Sequence, residues 1–293
     1  MFGILEFLTP PPQIRVIDVG ARCDPECPEV YLPLVRAGCA SVLGFEPNRA
    51  ECDRLNSSGE PGRRYLPYAI GEGDRRTLRV CADSRTSSLY EPNAPLLAYF
   101  NNLAEPCRVV DRVEVRTVAL DAIEEARGAD YLKLDVQGAE ADVLRGARNV
   151  LEDVLVVHAE VEFVPLYRDQ PLFGDIDALL RAHGFLFHKF PGFASRAFRP
   201  IVVNGDLNRG LSQMLWAEAV YVKSFLAFDR LEAAKLLKLA VILHEVYGSY
   251  DLCALALRHY DARLADAYVQ KLVGRPEKNI QAGGSRSDTH CEG

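Results

Sequence analysis

Short apolar runs and stretches of helical period alternate along most of this chain. Residues 15–19, 41–45, 64–67, 131–136, 154–163, 185–190 and 217–223 are rich in Val, Ile, Leu, Phe and Tyr and read as strands. The run at 154–163 is the most apolar of them. Residues 29–37, 49–55, 139–148 and 173–182 carry the wider spacing of helices, and Gly38 and Gly184 follow two of them as stop signals. Residues 78–81 and 113–117 read as additional strands or edge pieces. Strands alternating with helices predict a parallel sheet covered on both faces. From Phe225 the period changes. "FLAFDRLEAAKLLKLAVILHEVYG" and then residues 252–269 have apolar positions at helical spacing. The end, "GRPEKNIQAGGSRSDTHCEG", is polar and glycine-rich, a composition expected to stay disordered. The expected organisation is a sheet domain over residues 1–224, a helical appendage over 225–273 and a tail over 274–293. No internal repeat is present.

Composition narrows the function classes. The 293 residues carry a net charge of −7, which argues against a nucleic-acid backbone as partner. The eight cysteines are scattered and form no C-x-x-C. Cys23 and Cys27 flank "DPE" without a second pair or a nearby histidine, so no metal site is expected. "MFGILEFL" has no basic segment and runs into Pro10, Pro11 and Pro12, so no secretory signal is expected. No apolar run approaches the ~20 residues that span a bilayer. The expectation is a cytoplasmic protein with reduced thiols.

Four stretches carry candidate chemistry. In "RVIDVGARCDPE" a strand delivers Asp18 and Gly20 to the crevice where open α/β sheets bind ligands. The second glycine of a dinucleotide loop is absent, which argues against a pyrophosphate. The alternative is a plain strand-to-helix turn. In "LGFEPN", Glu46 ends the second strand about 26 residues after Gly20, where an acid usually takes ribose hydroxyls, and Pro47 stops the strand. The alternative is an acid stabilised by the dipole of the next helix. In "DYLKLDVQGAEADVLRGA", period two puts Lys133, Asp135 and Gln137 on one face, and Glu140 falls in the first turn of the following helix. In "VVHAEVEFVPLY", His158, Glu160 and Glu162 alternate with Val157, Ala159 and Val161. A carboxylate in such a crevice is a candidate base or cation binder. The alternative for both stretches is internal ion pairing, Lys133 with Asp135 or with an acid of the next strand.

These blocks together resemble the FkbM family of S-adenosylmethionine-dependent methyltransferases. The resemblance rests on "IDVGAR", "GFEPN", "YAIGEGD", "SRTSSLYEP", "VRTVALD", "DYLKLDVQGAEADVLRGA", "EVEFVPLYRDQPLFGDIDALLRAHGF" and "LWAEAVYVK", in family order over residues 16–223. It implies a class I methyltransferase fold. That is a Rossmann-like three-layer α/β sandwich on a seven-stranded, mostly parallel sheet whose last strand is antiparallel, here with the helical appendage added. It implies S-adenosylmethionine as cofactor. Gly20 and Ala21 would approach its methionine portion, and Asp18 would support the ammonium or the loop. Glu46, with Pro47 beside it, would take the ribose, and Tyr68, Ala69 and Ile70 would flank the adenine. Ser88, on a loop with Ser87 and Tyr90, is placed to close over the cofactor, the alternative being a plain hydrogen-bonded turn, and Asp135 would position cofactor or acceptor. Related sequences often have glycine after "DVGAR"; Cys23 and Asp24 stand there, with side chains that narrow or reshape the tail pocket.

The family is associated with O-methylation of sugars and other small-molecule hydroxyls. A neutral hydroxyl benefits from a positioned base. Asp135, His158 and Glu160 are the candidates, with Lys133 tuning them. The expected acceptor is a small molecule or glycan. Two other readings remain. One is a non-catalytic methyltransferase-fold domain that binds a ligand or partner; the other is a nicotinamide-dependent oxidoreductase, disfavoured by the absent G-x-G-x-x-G. The helices after Phe225 are expected to dock on the sheet domain or to mediate self-association.

Overall fold

Seven of the apolar runs join into one sheet in the computed structural model of the protein, which describes residues 3–21, 28–57 and 59–274. Cys23, Asp24 and the tail beyond residue 274 lie outside the described residues. In chain order the elements are β1 (Ile14–Val19), α1 (Leu32–Arg36), β2 (Ala40–Phe45), α2 (Arg49–Ser57), β3 (Arg63–Leu66), β4 (Arg75–Cys81), α3 (Ala94–Leu97) and β5 (Val109–Arg116). Then follow β6 (Tyr131–Leu134), α4 (Glu140–Arg145), α5 (Val150–Asp153), β7 (Val156–Glu162), α6 (Phe173–Ala182), β8 (Phe185–Ser195) and β9 (Met214–Lys223). Three helices close the chain: α7 (Ala233–Glu245), α8 (Tyr250–Tyr260) and α9 (Ala262–Val273).

The sheet order is β3-β2-β1-β6-β7-β9-β8. The first five are parallel, and β9 enters between β7 and β8 antiparallel to both. This is the class I methyltransferase arrangement that the sequence implied. The chain winds outward from β1 to β3 and returns to β6 on the other side of β1. The carboxyl ends of β1 and β6 are therefore the switch point where a crevice opens. One core holds the sheet to its helices: Ile17, Val19, Leu132, Leu134, Val157, Ala159 and Val161 pack with Val143 and Leu144 of α4 and Ile176 and Leu180 of α6.

Several elements differ from the sequence pattern for local reasons. The first helix is only Leu32–Arg36, with Pro33 in its opening turn. The helix expected over 139–148 is the shorter α4, Glu140–Arg145, and α5 follows beyond the expected range. Gly146 lies between them, and a Cβ there would fall 2.2 Å from the carbonyl oxygen of Gly71. That close backbone approach ends the helix. The β6 strand stops at Leu134, so Asp135 and Gln137 belong to a turn and do not continue a strand face. β8 runs on through Pro191 and Gly192 with register irregularities, as the sheet edge permits. The two expected edge pieces pair with each other: β4 and β5 form a separate antiparallel ribbon, Leu78 opposite Val113.

The chain divides into two compact units, one from Gln13 to Ala227 and one of the residues before Gln13 together with those from Phe228 onward. The first dozen residues thus go with the helices, where local pattern had grouped them with the sheet. The tie is non-local: Glu245 Oε1 accepts from Ile4 N at 2.9 Å, and Lys271 pairs with Glu6. In this unit Asp261 caps α9, accepting from Arg263 N and Leu264 N, and His244 Nδ1 meets the Tyr268 hydroxyl at 2.9 Å. Among the described residues no helix is long and apolar enough to cross a membrane.

Candidate active site

The β1 turn is shaped by its neighbour. Gly20 has φ +82°, and a Cβ there would lie 2.0 Å from the Asp135 carbonyl oxygen. Only glycine lets the ends of β1 and β6 approach this closely. The amides of Gly20 and Ala21 both donate to the Phe45 carbonyl, at 3.2 and 3.1 Å. Ala21 is buried with Cys52, Leu55 and Tyr65.

Asp18 is fully buried and its partners are internal. Its Oδ2 accepts from the Tyr31 hydroxyl at 2.6 Å, and Lys133 Nζ lies 3.3 Å from Oδ1. Lys133 is also 3.6 Å from Asp135 Oδ2, so the ion-pair alternative read from the sequence is present as well. Burial alone would lower the Lys133 pKa; Asp18, Asp135 and Glu218 outweigh it, and the net shift is upward. Tyr31 is pushed well above its ordinary value, by burial first and Asp18 second.

Beyond this turn lies a cavity of about 670 Å³, within the ~300–1,000 Å³ range of small-molecule sites. Of the sequence candidates, Gly20, Glu46, Pro47, Tyr68, Ala69, Ile70, Ser88 and Asp135 line it; Asp18, Ala21, His158 and Glu160 do not. Glu46 turns one oxygen back to accept from Asn48 N at 2.7 Å. The facing wall comes from the ribbon: Leu78 and Val80 of β4, Val113 and Val115 of β5. Sequence reasoning missed these four, although the alternation in "TLRV" and "VEVR" puts each pair on one face.

At the inner end of the cavity the turn after β6 gathers the remaining candidates. Gln137 sits at φ +55° and Gly138 at +93°. From this turn the Gln137 amide nitrogen donates to Asp135 Oδ1 at 3.0 Å and to Glu160 Oε2 at 2.6 Å. Its oxygen is 3.0 Å from the Tyr167 hydroxyl, and its backbone carbonyl accepts from Ser88 Oγ at 2.6 Å. Beneath the turn, the buried Glu140 carboxylate accepts from Val136 N at 2.8 Å. Glu140, in the first turn of α4 as expected, is thus tied to the turn before it. Burial pushes its pKa up, Asp135 adds to the rise, backbone amides oppose it, and the result is about 7. His158 is buried, with Nε2 2.8 Å from Glu218 Oε2.

Glu160 and Glu162 are both held well above the ordinary carboxyl range. Burial is the larger cause in each; Asp135 is next for Glu160 and Glu140 for Glu162. Although carboxylates crowd here, no group of three or more His, Cys, Asp or Glu among the described residues is arranged to hold a metal ion.

The family model described as the methyltransferase FkbM domain matches residues 18–187. No curated protein matches the sequence. Among solved structures, the chain is similar to magnesium protoporphyrin IX methyltransferase from Synechocystis PCC 6803 with bound SAM. The identity is 12%, covering 73% of this chain and 71% of that one, with a TM-score of 0.37. A putative methyltransferase from Thermoplasma acidophilum is 10% identical over 73% and 70%, TM-score 0.37. The N-terminal domain of EvdMO1 with SAH bound is 9% identical over 72% and 74%, TM-score 0.35. The family match covers more than half of the sequence and spans the switch-point crevice, from Asp18 through the Gln137 turn and beyond, and the chain belongs to the FkbM family of S-adenosylmethionine-dependent methyltransferases.

Proposed function

We propose that the protein is an O-methyltransferase acting on a hydroxyl of a sugar, glycan or other small molecule. One observation carries this reading. Asp135 and Gln137 line the cavity where it meets the end of β6, and Gln137 joins Asp135 by hydrogen bonds to Glu160 of β7.

The cavity suits the cofactor. It pairs an acid at the end of β2 with an apolar slot between Ile70 and the ribbon, and Gly20 lines it at the turn. Glu46 would accept from ribose hydroxyls. Tyr68, Ile70, Leu78 and Val113 would enclose a flat, apolar-faced base. Ser88, tied to Gln137, would keep the loop over the cavity closed. When bound, S-adenosylmethionine supplies an electrophilic methyl for in-line displacement. This chain's task is to align a hydroxyl with it and take the proton.

Glu160 is our candidate base. Its raised pKa makes it a better proton acceptor, once ionised, than an ordinary carboxylate. Asp135 positions cofactor or acceptor from the opposite side of Gln137. His158, deeper in β7, keeps Glu218 in place beside them. The test is calorimetry with S-adenosylhomocysteine, followed by transfer of labelled methyl to panels of methyl glycosides, amines and thiols. Transfer to glycoside hydroxyls is expected. Transfer only to nitrogen or sulfur probes overturns the reading.

A further inference from the structure

The geometry points to Gln137 as the positioning residue that holds Asp135 and Glu160 together as one working pair. The inference rests on the proposal that Glu160 is the base, and it adds what sets that base. The Gln137 amide nitrogen has two hydrogens, and the two carboxylates occupy both, at 3.0 and 2.6 Å. A neutral double donor lets the two acids share one partner, while the nearby cation, Lys133, faces Asp18 and the other oxygen of Asp135. A carboxylate in its place would add a third like charge; an apolar side chain would leave two acids facing each other.

The backbone supports this role. Gln137 is one of only four non-glycine residues at positive φ among the described residues. Such a conformation is retained where surrounding contacts fix it. Here the contacts are specific: Ser88 Oγ holds the carbonyl, and the Tyr167 hydroxyl is 3.0 Å from the side-chain oxygen. With that oxygen turned toward a hydroxyl, the amide hydrogens face the acids.

The groups around Glu160 are Asp135 of the turn, Glu162 of β7, Glu218 of β9, Glu140 of α4 and the Tyr167 hydroxyl, with Lys133 of β6 beside Asp135 and His158 on Glu218. Most of them are acids. Against them stands the Gln137 N–H group, which donates to Glu160 Oε2 at 2.6 Å, a contact of the kind that favours the ionised form. In the transfer step the acceptor O–H bond breaks and its proton goes to Glu160. The oxygen electron pair forms the new C–O bond, and the S–C pair returns to sulfur as a neutral thioether. Gln137 sets how readily Glu160 is ionised to receive that proton.

The test uses the full chain without acceptor. Side-chain carboxyl ¹³C NMR follows the titration of Glu160, assigned by its loss in Glu160→Gln. Gln137→Asn keeps a residue tolerant of positive φ but is one carbon short of spanning both acids. Gln137→Met keeps length and removes the donors. Both should move the Glu160 midpoint upward by about one pH unit, the size of one lost hydrogen bond to a charged group. S-adenosylhomocysteine affinity should stay within about threefold. Tyr167→Phe should move the midpoint the same way by less. A folded Gln137→Asn chain whose Glu160 titrates as in the parent overturns the inference. So does loss of S-adenosylhomocysteine binding without a shifted midpoint, which marks a purely structural residue. Glu160→Gln transferring methyl at the parent rate sinks the base assignment instead, and leaves the titration result standing by itself.

Discussion

The two ends of the cavity are built on different principles. The outer end, where Glu46, Tyr68 and Ile70 face the ribbon residues Leu78, Val80, Val113 and Val115, is a shaped apolar slot with one acid at its edge. The inner end, where Asp135 and Gln137 line the cavity and Gln137 reaches on to Glu160, is a hydrogen-bonded network in which nearly every polar atom answers to another. The first requires fit and tolerates substitution by degrees. The second requires particular protons in particular places, and one change propagates. The outer end should therefore govern affinity and the inner end rate.

The largest effect should come from the inner end. Glu160→Gln is expected to slow methyl transfer by about 10²–10⁴-fold, the usual contribution of a positioned base. S-adenosylhomocysteine affinity should change little. Asp135→Asn should slow transfer less than Glu160→Gln. The Glu160 variant alone should lose the acidic limb of the pH–rate profile. Equal losses of rate and cofactor affinity in both variants would erase the division between the two ends.

Next is the joint between them. Gly20→Ala places a methyl group against the Asp135 carbonyl, a backbone atom that cannot swing aside, at a positive φ that already disfavours alanine. The expected cost is at least about 2 kcal/mol of stability, with S-adenosylhomocysteine binding weakened about 100-fold. Thermal unfolding and calorimetry read the two parts. A variant with parent melting temperature and affinity would show that the β1 and β6 ends separate freely.

The outer end should respond more mildly. Glu46→Ala removes charged hydrogen bonds to the ribose, each contributing roughly 1.5–3 kcal/mol, so affinity should fall about tenfold or more. The ratio of turnover with saturating cofactor should barely move. If turnover falls as much as affinity, Glu46 reaches the chemistry and the two ends do not divide the work.

The same contrast explains what the sequence could reveal. Gly20 and Glu46 are legible because they sit at strand ends, where position along the chain fixes position in the crevice. The sheet is legible for the same reason: its strands are local apolar runs. Gln137 is visible only as one of three polar residues at alternate positions. Its bridging role arises because β6 ends at Leu134 and the chain enters a left-handed turn, which alternation cannot foresee. Asp18 reads as a ligand contact from its place, yet its nearest partner is Tyr31, thirteen residues on, a side-chain pairing that the helical period of 29–37 does not disclose. The grouping of Ile4 with Glu245 is further from local pattern still, because the two are 241 positions apart.

The smallest effect concerns the support beneath the inner end, and its sign follows from Glu140. Its pKa is raised from the ordinary carboxyl value to about 7, with burial the main cause. The folded chain therefore holds this proton more tightly than the unfolded chain. The stability this provides is fully present below the unfolded value of about 4.5 and is lost as pH rises through about 7. Between those limits the parent protein should lose stability with rising pH. Because the neighbouring carboxylates compete for the same protons, the part carried by Glu140 should be about 1 kcal/mol across that window. Glu140→Gln keeps an oxygen able to accept from Val136 N and removes the titration, so its melting temperature should fall less steeply over the same range. Above pH 7 the ionised parent carboxylate grips the backbone of the turn, and the neutral amide holds it less firmly. Methyl transfer by the variant should then be a few-fold slower, with cofactor affinity nearly unchanged. Parallel melting curves for parent and variant from pH 5 to 8 would place the ionisation elsewhere in the carboxylate group, with Glu162 as the next residue to replace. A variant that loses cofactor affinity but not rate would reverse the division of labour, making the turn after β6 part of the binding slot.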